Sequence, residues 1–282
     1  MKYFFSFLLV VCFANAPRAQ DEARPIHVEV TGHGEPLLFI PGFTVPGDIW
    51  NPLVEQLASD YECHVVTLAG FGGQAPIEFP WLPKVNDALE DYIQEFDVKG
   101  VTVIGHSLGG TIATWLASRA DSRVSQIVLV DALPAAGALM IPDYDPDNLV
   151  YESPYNDQQL ARDDADFEQL ATNMAQMMCV DQDARQEVKD WIIEADRKTY
   201  VYGYTDYLKL DLREDLKRIS VPVSIFAADQ PFGREMVVKN YKDQYANLQD
   251  YDLIIAENSA HFIMLDQPEW FGEQIRAVLS SR

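Results

Sequence analysis

The residues of this 282-residue chain that could carry out acyl-transfer chemistry together are one serine between glycines, a few histidines, and two aspartates that end apolar runs. The serine is Ser107, set in Gly105-His106-Ser107-Leu108-Gly109, a G-x-S-x-G pattern. A seryl hydroxyl is a poor nucleophile at neutral pH. It attacks a carbonyl when a base takes its proton, an acid orients that base, and N–H donors receive the developing oxyanion. VTVI before the pattern is strand-like and GTIATWLASR after it is helix-like, the strand–turn–helix setting that exposes Oγ on a strained turn. Side chains in place of the flanking glycines would crowd the neighbouring strand and helix. The Leu108 N–H opens that helix and points where negative charge would develop.

Five histidines are available as the base. His106 adjoins the serine, so its ring should point away from Oγ and act as a packed or hydrogen-bonded neighbour. His27, His33 and His64 precede the serine, and His64 sits beside a strand where it can simply pack. His261 follows YDLIIAENSA, a strand and then a loop, which places it at a strand's C-terminal end, and it completes the order Ser…Asp…His. It is the expected base. Asp229 ends VPVSIFAAD and Asp131 ends QIVLVD, and either carboxylate could hold the imidazole in the right tautomer. Asp229 is the favoured acid and Asp131 the alternative, the latter also suiting a loop or helix cap. A second oxyanion donor is expected in LLFIPGFTVPGDIW, where the Phe43 N–H follows Pro41-Gly42. The same dipeptide also reads as a plain turn.

These groups need a scaffold that brings distant strand ends to one edge. The runs IHVEV, PLLFI, HVVTL, VTVIG, QIVLVD, VPVSIFAA and YDLIIA are rich in Val and Ile, and several are continuously apolar, as strands covered on both faces are. Helical patterns lie between them at 48–58, 84–96, 108–120, 234–245 and 268–279, the last opening with a proline in its first turn. Such alternation predicts an α/β domain with a mostly parallel sheet and crossover helices. From 134 to 215 no strand pattern is visible, so this interval reads as a mainly helical insertion on the ligand-binding edge of the sheet. The core is then 21–133 and 216–282.

The chain carries a net charge of −23. That excludes nucleic acid or an anionic membrane as an attracted partner. Lys2, the apolar YFFSFLLVV and the small-x-small Ala14–Ala16 form a secretory leader, too short to span a bilayer, with cleavage expected near 16–20. A lipid anchor on Cys12 is not supported, because Val11 rather than a small residue precedes it. Removing residues 1–20 takes away Lys2 and Arg18 and no acids, so −23 becomes −25. The expected product is secreted or periplasmic and makes no use of a membrane. Cys63 and Cys179 can form one disulfide there or remain two buried thiols.

With these pieces assembled, the sequence resembles the α/β-hydrolase superfamily from about 25 to 279, in LLFIPGF, VVTLAGFGG, VIGHSLGG, VPVSIFAAD and NSAHFIMLDQPEWF. The resemblance implies Ser107 as nucleophile, His261 as base and Asp229 as acid, with Phe43 and Leu108 as oxyanion donors and the 134–215 insertion as a cap. It implies no cofactor. Pro41 stands where many members have histidine, and FAAD lacks a glycine often found three residues before the acid, which keeps Asp131 open as the alternative. A serine rather than an aspartate at the elbow argues against the dehalogenase and epoxide-hydrolase branches.

Within the insertion, 142–168 carries nine acids against Arg162 alone. As a rim it would disfavour anionic substrates; as a solvated face it would do nothing specific. Asp143 to Asn148 mimics the opening of a calcium loop, but Pro146, Asn148 and Pro154 spoil it, so no metal is expected. NMAQMM and the tyrosines of TYVYGYTDYL suit either an apolar pocket or interhelical packing. The expected activity is hydrolysis of a carboxylic ester or lactone of a small neutral molecule through an acyl-enzyme on Ser107. The alternative is a non-catalytic ligand- or partner-binding protein on the same fold.

Overall fold

The structure is a computed structural model that describes residues 23–95 and 100–281, so the expected leader lies outside the described residues. Seven strands form one sheet in the order β1-β3-β2-β4-β5-β6-β7. They are β1 (Ile26–Gly32), β2 (Glu35–Ile40), β3 (Tyr61–Leu68), β4 (Val101–His106), β5 (Val124–Val130), β6 (Val223–Ala228) and β7 (Asp252–Ala256). β1 pairs antiparallel with β3, and every other pairing is parallel. All seven apolar runs in the sequence are strands, and the α/β architecture stands as expected.

Continuous apolarity has its physical cause in two covered faces. On β2, Leu38 and Ile40 pack on one side of the sheet and Leu37 and Phe39 on the other, all fully buried. The first side is covered by α2 (Trp81–Gln94), α3 (Leu108–Ala117) and α9 (Arg234–Gln244) through Val85, Leu89, Ile112, Val237 and Tyr241. The second is covered by α1 (Asn51–Leu57) and α11 (Pro268–Ser280) through Leu53, Leu57, Phe271 and Ile275. Each such side chain contributes roughly 1.5–3 kcal/mol by leaving water.

One helix starts earlier than its sequence pattern indicates. α2 begins at Trp81 rather than residue 84 because the Asp206 carboxylate accepts the N–H groups of Trp81 (2.7 Å) and Leu82 (3.1 Å). A carboxylate on those exposed amides satisfies orphan donors and complements the positive end of the helix.

Between β5 and β6 the chain forms helices only: α4 (Ala136–Met140), α5 (Pro154–Leu160), α6 (Asp164–Met178), α7 (Gln182–Glu194), a π-helical turn Thr199–Gly203 and α8 (Tyr204–Lys209). Part of the acidic run is helix capping. Asp163 accepts the Asp166 N–H at 2.8 Å, and farther on Asp181 accepts those of Asp183 and Ala184. Asp145 closes a short 3₁₀ turn by accepting the Asp147 N–H. Cys63 and Cys179 are buried free thiols, so of the two readings of the cysteines the structure shows the unbonded one. The short helix α10 (Ile263–Asp266) follows directly on His261-Phe262.

Candidate active site

Parallel pairing brings the C-terminal ends of β2, β4, β5, β6 and β7 to one edge. Ile40 lies beside Gly105, His106 beside Val130, and Ala228 beside Ala256. The residues that follow these ends are Pro41 to Phe43, Ser107, Asp131, Asp229 and the loop leading to His261. Five segments far apart in sequence therefore meet at one edge.

The turn at Ser107 is sharp. Ser107 has φ 52° and ψ −120°, a conformation that costs a non-glycine residue on the order of 1–3 kcal/mol and persists where the surroundings over-determine it. Its N–H donates to the Val130 carbonyl at 2.8 Å, and its carbonyl accepts from Gly110 and Thr111 as α3 begins. No room exists for side chains on either side: a Cβ at Gly105 would stand 2.2 Å from the Gly109 carbonyl oxygen, and one at Gly109 would stand 2.2 Å from the Ile40 oxygen. Ser107 itself is partly exposed. As the first residue of α3, Leu108 has no acceptor for its N–H within the helix.

His261 and Asp131 are joined. The His261 Nδ1–H donates to Asp131 Oδ2 at 2.7 Å, with side chains 25% and 18% exposed. The tautomer follows from this partner, since a proton on Nδ1 leaves the Nε2 lone pair free to act as a base. The other carboxylate oxygen, Oδ1, accepts from the Ala228 N–H at 3.0 Å and from the Tyr241 hydroxyl at 2.9 Å. Asp131 also adopts a left-handed backbone, φ 46°, and its N–H donates to the Phe226 carbonyl. Tyr241 remains a neutral donor because burial, then the neighbouring Asp131 charge, pushes its hydroxyl far above its usual range.

The expectation that Asp229 holds the imidazole is corrected by this geometry. The contact to His261 Nδ1 is made by Asp131, the alternative acid. Asp229 lies at the neighbouring strand end, where its Oδ1 is buried without a hydrogen-bond partner. Its backbone is fixed by N–H to the Ala256 carbonyl and by accepting from Gly233. The physical reason is the left-handed turn after β5, which directs the Asp131 carboxylate across to β6 and onto the amide that precedes Asp229.

Ser107 Oγ and His261 Nε2 make no hydrogen bond among the described contacts. Such a bond commonly tightens only when substrate is engaged. The ring of His106, the residue before the serine, stands 4.7 Å from that of His261.

Phe43 anchors an aromatic group above the edge. Its ring stands 4.9 Å from Phe71, 6.0 Å from Trp81, 5.9 Å from Tyr200 and 5.3 Å from Tyr204. The two tyrosines come from the π-helical turn and α8, so the helical insertion roofs the loop after β2. Tyr200 donates to the Met174 sulfur at 3.3 Å, while Met177 is exposed. Tyr202 turns away to stack on Tyr151. Tyr207 is buried with its hydroxyl in reach of the Thr111 and Ser107 hydroxyls. Burial raises its pKa, those two contacts counteract the rise, and the Asp131 charge adds to it.

Tyr241 is a site residue that the sequence did not single out, and Tyr207 is one that it offered only among the tyrosines of TYVYGYTDYL. A signal existed for the first: Val237 and Tyr241 are four residues apart on one face of α9, and Tyr245 continues that spacing at its C-cap. Tyr207 has no comparable signal, since it is one of five tyrosines within 200–207 and 151.

Comparison with known proteins bears on the family and the fold. A pimeloyl-[acyl-carrier protein] methyl ester esterase of Nitrosomonas europaea is 33% identical over 109 residues, which is 39% of this chain and 42% of that protein. The protein of the same name from Vibrio cholerae is 27% identical over 205 residues, 70% of this chain and 76% of that one. The match thus spans about two-fifths of the first relative and three-quarters of the second. Among solved structures, an esterase from Exiguobacterium antarcticum superposes with a TM-score of 0.74 at 21% identity, covering 90% of this chain and 95% of its own. The family model for the alpha/beta hydrolase family matches residues 37–274, and the chain belongs to that family.

Proposed function

We propose that this chain is an exported serine esterase that cleaves a carboxylic ester or lactone of a small neutral molecule. The observation that carries the reading is the Asp131–His261 hydrogen bond placed at the same sheet edge as the strained Ser107 turn. Ser107 Oγ attacks the carbonyl carbon while His261 Nε2 accepts its proton. The N–H groups of Phe43 and Leu108 receive the tetrahedral oxyanion. Collapse expels the alcohol, to which His261 returns the proton, and leaves an acyl-enzyme. A water deprotonated by His261 then releases the acid. Asp131 keeps Nδ1 protonated and offsets the positive charge that forms on the imidazole.

Substrate class follows from two features. The net charge of −23 disfavours anionic esters, and the ring group on Phe43 favours a compact apolar acyl or alcohol part. The similarity to methyl ester esterases supports an ester as the bond cleaved. Export rests on the leader sequence in residues 1–20.

Hydrolysis of p-nitrophenyl acetate, butyrate and octanoate by the natural chain and by Ser107→Ala tests the reading. Turnover that vanishes in the variant is expected, falling off with chain length. Neither turnover nor labelling by a fluorophosphonate would contradict it and favour a ligand-binding protein on the same fold.

A further inference from the structure

The histidine that precedes the nucleophile is the most enclosed ionisable group at the site. His106 is fully buried at the end of β4. Its Nε2 lies 3.0 Å from the backbone carbonyl of His261, 155 residues away. Its ring packs 4.7 Å from His261 and 4.8 Å from Phe262. The opposite side of the ring faces the loop after β2, where a Cβ at Gly42 would stand 2.8 Å from His106 Nδ1 and 3.3 Å from the Ser107 Cβ. One imidazole therefore touches the backbone that carries the base and the glycine beside the Phe43 N–H, and is covalently continuous with the nucleophile.

We propose that His106 is a positioning residue, which fixes the His261 backbone and the Gly42-Phe43 turn relative to Ser107. Nε2–H donates to the His261 carbonyl, and the flat ring spaces the two loops. Burial, then the nearby His261, holds the ring neutral by depressing its pKa far below the ordinary value. A neutral ring adds no charge against the imidazolium that His261 becomes. Gly42 allows the approach, since any side chain there would displace the ring or the serine. This role rests on the esterase reading, because positioning matters only if Ser107 and His261 react.

The test compares His106→Gln, whose amide N–H can reach where Nε2 stood, with His106→Asn, which is too short, and His106→Phe, which keeps the ring and loses the donor. For p-nitrophenyl acetate, kcat is expected to fall roughly 10- to 100-fold in the Asn and Phe chains, with KM within about threefold, and to recover most of that in the Gln chain. The hydrogen-bonded Nδ1 proton of His261 supplies a readout that needs no turnover. Its far-downfield NMR resonance should persist with Gln and broaden or shift with Asn and Phe. An inactive natural chain with an inert Ser107 would defeat the esterase reading, while this resonance would still decide whether His106 orders His261. Equal kcat and an unchanged resonance in all three variants would overturn the proposal. So would losses that follow thermal stability with no rescue by Gln.

Discussion

β5 and β6 lie side by side, end at the same sheet edge, and are each followed by an aspartate, yet the two carboxylates have different surroundings. Asp131 has all its contacts assigned: His261 on one oxygen, and the Ala228 amide and Tyr241 hydroxyl on the other. Asp229 keeps a buried oxygen without a partner. What separates them is backbone geometry, because Asp131 turns through a left-handed conformation and projects across the neighbouring strand end. A carboxylate orients a histidine only if its own oxygens are held, so three donors on Asp131 make it the better orienting group. The comparison teaches that identity and strand-end placement do not select an acid; the donors around it do.

The largest effect that sharpens this contrast is on turnover. Asp131→Asn should lower kcat for p-nitrophenyl acetate roughly 10³- to 10⁴-fold, because an amide cannot keep Nδ1 protonated. Asp229→Asn should change it less than about threefold, as its side chain lacks a contact to His261. Reversed sensitivities would break the comparison.

Tyr241→Phe should have a smaller effect. It removes one of two donors to Asp131 Oδ1, and a lost hydrogen bond of about 1 kcal/mol corresponds to roughly fivefold in kcat. Steady-state kinetics with KM determined separately checks it. The matching change just past the end of α9, Tyr245→Phe, frees the Ala132 carbonyl instead and should leave kcat closer to that of the natural chain.

Stability should depend on pH in a window set by the buried histidines. His106 and His64 are both held below the ordinary histidine value, in each case chiefly by burial. Below about pH 6.5 the unfolded chain takes up protons on these rings and the folded chain does not. Their stabilisation is therefore full above that pH and is lost as the pH falls below it, by at most about 1.4 kcal/mol per pH unit for each group. Urea midpoints at pH 7.5, 6.0 and 5.2 should decline in that order, with a shallower slope in His106→Phe.

The smallest expected effect is chemical inertness. Burial pushes Cys63 up to about 11 and Cys179 up to about 12. On the order of one thiol in a thousand or fewer is then ionised at pH 8, so a disulfide reagent should modify neither in the native chain and both in denaturant.

Much of the scaffold was legible because its signals are local. Seven Val- and Ile-rich runs are strands, the inner ones continuously apolar because both of their faces are buried, and the glycines around Ser107 mark a turn with no room for a Cβ. The early start of α2 was not legible, since its capping carboxylate is Asp206, more than a hundred residues away. The pairing of His261 with Asp131 was open for the same reason: VLVD and FAAD look alike, and only the turn and its distant donors separate them. The nine acids of the 142–168 run are all exposed, as a solvated face requires, and two of them, Asp163 and Asp145, also serve as local caps, a role visible only once the helix starts are known.

Fluorophosphonate labelling followed by intact and peptide mass spectrometry tests the central claim most directly. One adduct per chain, located on Ser107 and forming far more slowly in Asp131→Asn than in Asp229→Asn, is the predicted result. An adduct that persists in Ser107→Ala, or labelling that Asp229→Asn slows and Asp131→Asn does not, would contradict it.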